Sequence, residues 1–199
     1  MAVICPAVAE RLPVPSADFE MSYDMQDPKE GPTRVSMRHS GGWVREDMSI
    51  GGQVRVTAFE REGYAGAIYI FEARGTKAAF RVASLTGDPL ANAFGKHGTR
   101  LGQTRVVAGE QCDLWQLEPE APTPKRIIAC LTADGVLLQA ATTDMPRTPL
   151  VNAVRLQRRP QDPAWFSMHP GLVLRDVPDL NALGRATEAW ARGVVRMRR

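Results

Sequence analysis

Runs of strand-type residues recur along this chain, and where hydrophobic and polar positions alternate with a period of two they mark strands that bury one face. The clearest case is Asp18 to Met25, where Phe19, Met21, Tyr23 and Met25 share one face and Asp18, Glu20, Ser22 and Asp24 the other. Turn-forming residues follow at Asp27-Pro-Lys-Glu-Gly-Pro32, Gly41-Gly42, Gly51-Gly52 and Ala73-Arg-Gly-Thr76. Between them the pattern predicts strands over 33–39, with Val35 and Met37 inward, and over 43–48, 53–59, 65–72 and 77–85, joined as a meander. Asp88-Pro-Leu-Ala-Asn-Ala-Phe94 has a capping Asp, Pro at the first helical position and Gly95 as a stop, so it predicts one short helix. Strands resume at 99–107, 112–117, 126–132, 136–142 and 148–157. Arg159-Pro-Gln-Asp-Pro163 then breaks the chain ahead of an apolar plug, Trp165-Phe166, and 179–197 predicts an amphipathic helix with Leu180, Leu183, Trp190 and Val194 near one face. About ten strands with Gly and Pro turns argue for a mainly β (α+β) fold, a curved antiparallel sheet or incomplete barrel with one short and one C-terminal helix.

The stretch from Gly109 to Leu138 is the centre of this arrangement. Two strand-type runs, Cys112 to Leu117 and Arg126 to Thr132, flank Glu118-Pro-Glu-Ala-Pro-Thr-Pro124, whose prolines forbid a continuous ladder. A hairpin centred near Ala121 sets Cys112 directly opposite Cys130, and opposed cross-strand residues lie close enough for a disulfide. The alternative, a metal site, lacks the Cys-x-x-Cys spacing such sites use.

Composition narrows the class. With 199 residues and 44% hydrophobic content the chain can bury one good core, and a single domain over 10–199 is expected. The formal charge is +3, but all but four of the 25 basic residues are Arg and acidic residues are interspersed throughout, so no nucleic-acid partner is expected. Only the tail from Arg192 to Arg199 is locally basic, which suits a helix C-terminus. Met1-Ala-Val-Ile-Cys-Pro-Ala-Val-Ala9 is short and apolar, and Ala7-Val8-Ala9 has the small-x-small form cut by signal peptidase. Residues 1–9 therefore read as the remnant of an export signal. Removing it takes away Cys5 and leaves the even pair Cys112 and Cys130, as an oxidising compartment favours. A lipoprotein with Cys5 acylated is the rival reading, and Ile4 is bulky for the residue before such a cysteine. No run reaches the eighteen or so apolar residues that a membrane span needs.

Several stretches together resemble the periplasmic LolA/LolB-like superfamily, in an outlying branch. They are Ala17-Asp-Phe-Glu-Met21, Gly41-Gly-Trp-Val-Arg-Glu-Asp-Met48, Leu101 through Trp115, Ala129-Cys-Leu-Thr-Ala-Asp-Gly-Val-Leu-Leu138 and Asp162-Pro-Ala-Trp-Phe-Ser-Met-His-Pro-Gly171. The resemblance covers nearly the whole chain after residue 9 and rests on strand-and-turn patterns, not on a catalytic signature. It implies a periplasmic half-barrel whose sheet is closed by helices over an apolar cavity. It also implies a hydrophobic ligand, either a lipid or a lipidated protein, and places Arg45 where the carriers use an arginine to hold the cavity closed.

The candidate cavity residues are Phe19, Met21, Tyr23, Val35, Met37, Val44, Arg45, Met48, Val56, Ile68 and Ile70. From the residues alone, plain core packing is the better account of the apolar ones, since Met, Phe and Tyr fill irregular cores as well as they line pliable pockets, and only the resemblance brings a cavity close to parity with it. Met21, Met25, Met37 and Met48 with His39 nearby form a soft-ligand set of the kind copper uses, yet they alternate as ordinary core positions do. His39, His97 and His169 lie far apart in sequence, and no nucleophile elbow, HExxH or phosphate loop is present. The expectation is a non-enzymatic, cofactor-free binding protein. The alternative is an envelope protein-interaction or sensing domain with a filled core, and the third possibility is an enzyme whose site is assembled from distant residues.

Overall fold

Thirteen strands form one continuous open, curved sheet in the computed structural model, which describes residues 9–27, 31–85, 97–117, 126–168 and 170–196. In chain order they are β1 (Glu10–Arg11), β2 (Phe19–Asp27), β3 (Gly31–Ser40), β4 (Trp43–Ile50), β5 (Val54–Arg61), β6 (Ala67–Ala73), β7 (Thr76–Ser84), β8 (His97–Val107), β9 (Glu110–Leu117), β10 (Ile127–Leu131), β11 (Leu137–Thr142), β12 (Val151–Arg158) and β13 (Leu174–Asp179). A 3₁₀ turn spans Pro163–Phe166, and α1 (Leu180–Arg196) is the α-helix among the described residues. Two meanders, β2 to β7 and β8 to β12, join through the antiparallel pair of β12 with β2, and β13 lies beyond β7 at the far edge. The mainly β sheet with a C-terminal helix expected from the pattern is therefore present. The short helix expected at 88–94, the proline-rich loop at 118–124, residues 1–8 and His169 lie outside the described residues.

Local chemistry accounts for most of the hairpins. Ser40 pairs with Trp43 across Gly41 and Gly42, which have φ of 55° and 78°. Two successive positive φ values are what the tight hairpin turn matching strand twist requires, and glycine takes them without a Cβ clash. Gly135 serves a different need. A Cβ there would fall 2.4 Å from the backbone carbon of Val14, and Ser16 N–H donates to the Asp134 carbonyl at 3.2 Å. This close approach ties the segment before β2 to the turn between β10 and β11.

Two features correct the sequence expectation. The sheet is not wholly antiparallel, because β13 pairs parallel with β7, from Leu174 opposite Ala79 to Asp179 opposite Ser84. Pro178 disguises this strand in the sequence, but an edge strand tolerates proline because one row of its N–H groups needs no ladder partner. The hairpin of β9 and β10 is present, but its register sets Cys130 opposite Leu114, not opposite Cys112. The cysteines are therefore diagonal neighbours. A two-residue displacement keeps both side chains on one face, whereas a one-residue slip would have separated them. The Cys112–Cys130 disulfide forms across this diagonal with Cα atoms 5.3 Å apart, and both cysteines are buried.

Side chains pack into two apolar clusters. The larger holds Phe19, Met21, Tyr23, Val35, Met37 and Val44 from the first meander against Leu114, Trp115, Leu138, Val151 and their neighbours from the second. The smaller lies under α1, where Val56, Phe71, Phe80 and Val82 meet Leu183 and, less deeply, Leu180 and Trp190. Met48 touches both. The helix starts where Asp179 Oδ1 accepts the Ala182 N–H at 2.7 Å, satisfying an otherwise unpaired donor of the first turn.

One charged cluster stitches three elements. Arg158 on β12 donates through Nε and Nη2 to the two carboxylate oxygens of Asp134 at 2.6 and 2.9 Å, and its Nη1 lies 3.0 Å from Glu110 of β9. Hydrogen bonding from Arg158 holds the Asp134 carboxyl at about 2, below its ordinary 3.8. A depressed carboxyl pKa stabilises the fold above its unfolded value, and that contribution disappears as pH falls through the folded value. Discounted for solvent screening, the pair contributes about 1 kcal/mol. Urea unfolding from pH 7 to pH 2 is expected to show this loss between about pH 4 and pH 2, and Asp134→Asn is expected to flatten that limb. An unchanged limb in the variant refutes the assignment.

Candidate functional site

Strand pairing settles which candidate residues share a face. Phe19, Met21 and Tyr23 of β2 lie opposite His39, Met37 and Val35 of β3. Val35 and His39 in turn lie opposite Met48 and Val44 of β4, and Met48 lies opposite Val56 of β5. All of these belong to one face, the core face, which carries both apolar clusters. Its next positions are Phe71 and Tyr69 of β6, because Val56 pairs with Phe71 and Ala58 with Tyr69.

Arg45, Ile68 and Ile70 lie on the opposite, outer face, which corrects the expectation that they join the others. Arg45 pairs with Phe59, which pairs with Ile68, and Thr57 pairs with Ile70. Alternation alone was ambiguous here, since β6 carries Ala67, Tyr69 and Phe71 on one face and Ile68 and Ile70 on the other, and both rows are apolar.

The core-face candidates are packed by other side chains. Relative exposure runs from 0% for Val35 to 9% for Met37 across Phe19, Met21, Tyr23, Val35, Met37, Val44 and Val56, while Met48 is half-buried. A side chain that lines an open, water-accessible cavity keeps exposed area, and these keep almost none. Polar groups interrupt this face at Glu46, whose Oε1 accepts the Tyr23 hydroxyl at 2.7 Å. His39 is buried with its ring stacked on Phe19 at 5.1 Å, its Nδ1 3.0 Å from the Ala17 carbonyl and its Nε2 3.3 Å from Glu62. Both ring nitrogens are thus engaged within the fold. Among the described residues no three His, Cys, Asp or Glu side chains converge as a metal site would require. Under α1, the indole N–H of Trp190 is buried without a hydrogen-bond partner, its ring 6.3 Å from that of Phe71. Such an orphan donor costs about 1–3 kcal/mol.

The outer face carries chemistry that the sequence did not reveal. Arg45 donates through Nε and Nη2 to Asp47 at 2.8 Å each and through Nη1 to the Trp165 carbonyl at 2.9 Å. Asp47 also accepts from Thr57 at 2.8 Å and from Arg38 at 3.2 Å. The guanidinium of Arg38 lies 4.2 Å from the Trp165 ring centroid and that of Arg45 lies 4.9 Å from it. Further along the same segment Arg159 pairs with Glu20, and Gln161 N–H donates to Asp18 at 3.2 Å. Residues 159–167 therefore form a strap across β2 to β4, pinned by arginines that reach it from β3 and β4. Trp165 is not the buried plug expected from its apolar character. It is 42% exposed and held by cation–π contact, which at an exposed site is worth about 0.5–1 kcal/mol. Arg45 consequently clamps this strap from the outer face. The only hint available beforehand was Trp43-Val-Arg-Glu-Asp47, where two outward residues of opposite charge stand two apart on one strand.

No family model matches this chain, and no curated protein matches it. No helix among the described residues is long and apolar enough to cross a membrane.

Proposed function

We propose that this chain is a non-catalytic, exported protein-interaction domain of the bacterial envelope, in which the curved sheet is a rigid scaffold and the binding surface is external. The observation that carries this reading is the packing of the core face, where seven of the apolar candidates keep 9% exposure or less. A carrier holding its cargo there must first open that packing. At about 25 cal/mol per Å² of exposed apolar surface, this costs several kcal/mol before any ligand contact is made. The buried disulfide supports export, since a bond of this kind persists in oxidising compartments.

One observation favours a second reading, a hydrophobic ligand held between the core face and α1. The unpartnered Trp190 indole N–H lies in the smaller apolar cluster, where a ligand carboxylate or ester carbonyl would satisfy it. Native mass spectrometry of the exported protein, before and after organic extraction and after incubation with oleate or phosphatidylglycerol, separates the two. The interaction-domain reading expects a bare protein mass throughout. An extractable lipid adduct, or uptake of oleate that Trp190→Phe abolishes, overturns it and establishes the ligand reading.

A further inference from the structure

Exposed large apolar residues are scattered over most of the surface, as on any soluble protein, but Trp43, Tyr64 and Trp165 gather along one stretch of β3, β4 and β5. Trp43 pairs directly with Arg61 across β4 and β5, and Tyr64 follows in the turn after β5. The Arg61 guanidinium lies 5.2 Å from the Trp43 ring centroid and 5.5 Å from that of Tyr64. Trp43 and Tyr64 are 37% and 62% exposed. Two positions along β4, about 7 Å away, Arg45 begins the strap clamp that ends on Trp165.

Arginines on this stretch divide into two kinds. Arg38 and Arg45 are neutralised by Glu20 and Asp47 and serve the strap. Among the described residues no carboxylate lies within ion-pairing distance of Arg61, and the adjacent Glu62 is committed to His39. Aromatic contact orders the Arg61 side chain but leaves its charge uncompensated. An ordered guanidinium is pre-organised for bidentate pairing with a carboxylate, and Trp, Tyr and Arg are the residues in which interface binding energy concentrates. Arg38 and Arg45 on the same stretch are already paired, and Glu62 adjoins Arg61, so among the described residues the site offers one open cation, which suits a single carboxylate better than a polyanion.

We propose that Trp43, Arg61 and Tyr64 form a docking site for an extended segment of a partner protein in which one Asp or Glu is flanked by apolar residues. The carboxylate pairs with Arg61, and the flanking side chains cover the two rings. This site rests on the interaction-domain reading and gives it a location and a partner chemistry.

The test is selection of random dodecapeptides on phage against the full chain, followed by calorimetric titration with the enriched synthetic peptides. The expected result is enrichment of one acidic position between apolar ones. Affinity is expected to fall about tenfold or more in Arg61→Gln and in Trp43→Ala, with circular dichroism unchanged, and to stay constant in Val106→Ser on the distant strand β8. Enriched peptides without an acidic position, or an affinity that Arg61→Gln leaves unchanged, overturn the site while the interaction-domain reading stands. Failure to enrich any peptide sinks both. Binding of vesicles rich in phosphatidylglycerol, or a dimer that Trp43→Ala dissolves, reassigns the surface to a lipid headgroup or to a second copy and likewise overturns the proposal.

Discussion

Phe19→Ala is expected to lower the unfolding free energy by about 3–5 kcal/mol. Phe19 is 1% exposed on β2, at the centre of the larger apolar cluster, where its ring stacks on His39. Two losses combine. Removing the ring forfeits its transfer free energy and leaves a void lined by strands from both meanders, which cannot collapse without breaking the junction of β12 with β2. It also strips one wall from a buried imidazole whose two nitrogens are held by Ala17 and Glu62, so a polar group gains a neighbouring cavity. Urea denaturation is the measurement, with a lower midpoint and an unchanged slope expected if the native state stays compact. Phe19→Leu, which retains most of the volume, is expected to lose roughly 1–2 kcal/mol. A loss below about 1 kcal/mol for Phe19→Ala would mean that the core face relaxes easily. That outcome would remove the main argument for a filled scaffold and return weight to the ligand reading.

The double variant Cys112→Ala/Cys130→Ala is expected to lose about 3 kcal/mol, the loop-closure entropy of a bridge of this span. The two cysteines are 18 residues apart, and both sulfurs are buried in the larger cluster. Burial adds a kinetic expectation. A thiolate reductant reaches the bridge only when β9 and β10 open, so reduction of the native protein should be slow and should accelerate sharply in denaturant well below the unfolding midpoint of the reduced form. Rapid reduction by dithiothreitol under native conditions would show that this hairpin opens locally at low cost, and would place it among the mobile parts of the fold. The two variants also probe different things. Phe19 sits where the meanders join, whereas the bridge constrains one hairpin within the second meander. Their separation predicts nearly additive losses in the combined variant.

The strap and the docking stretch are linked on the outer face. Arg45 stands between them, two positions from Trp43 on β4 and bonded to the backbone of Trp165. A partner laid on Trp43 and Tyr64 therefore meets a surface whose side chains are already ordered by ion pairs and ring contacts. Pre-organisation of this kind reduces the entropy lost on association.

Strand-type runs bounded by Gly and Pro turns determined the existence and approximate bounds of the strands from β2 to β12, and period-two alternation added the buried face in β2 and β3. An apolar stripe with the 3.6-residue helical period likewise determined the C-terminal helix, and the hairpin around the proline-rich segment determined the partnership of Cys112 with Cys130. Three things were decided only by tertiary structure. The face of each apolar row is one: alternation states that Tyr69 and Ile70 point opposite ways, not which of them meets the core, because both rows of β6 are apolar. The exact hairpin register is another, since the two-residue displacement that sets Cys130 opposite Leu114 leaves the apolar pattern unaltered. The last is the outer face with its strap, its parallel edge strand β13 and the row of arginines and aromatic rings. Residues such as Arg61, Tyr64 and Trp165 are distant in sequence or lie in turns, where no periodicity operates, and only the folded sheet brings them to one surface.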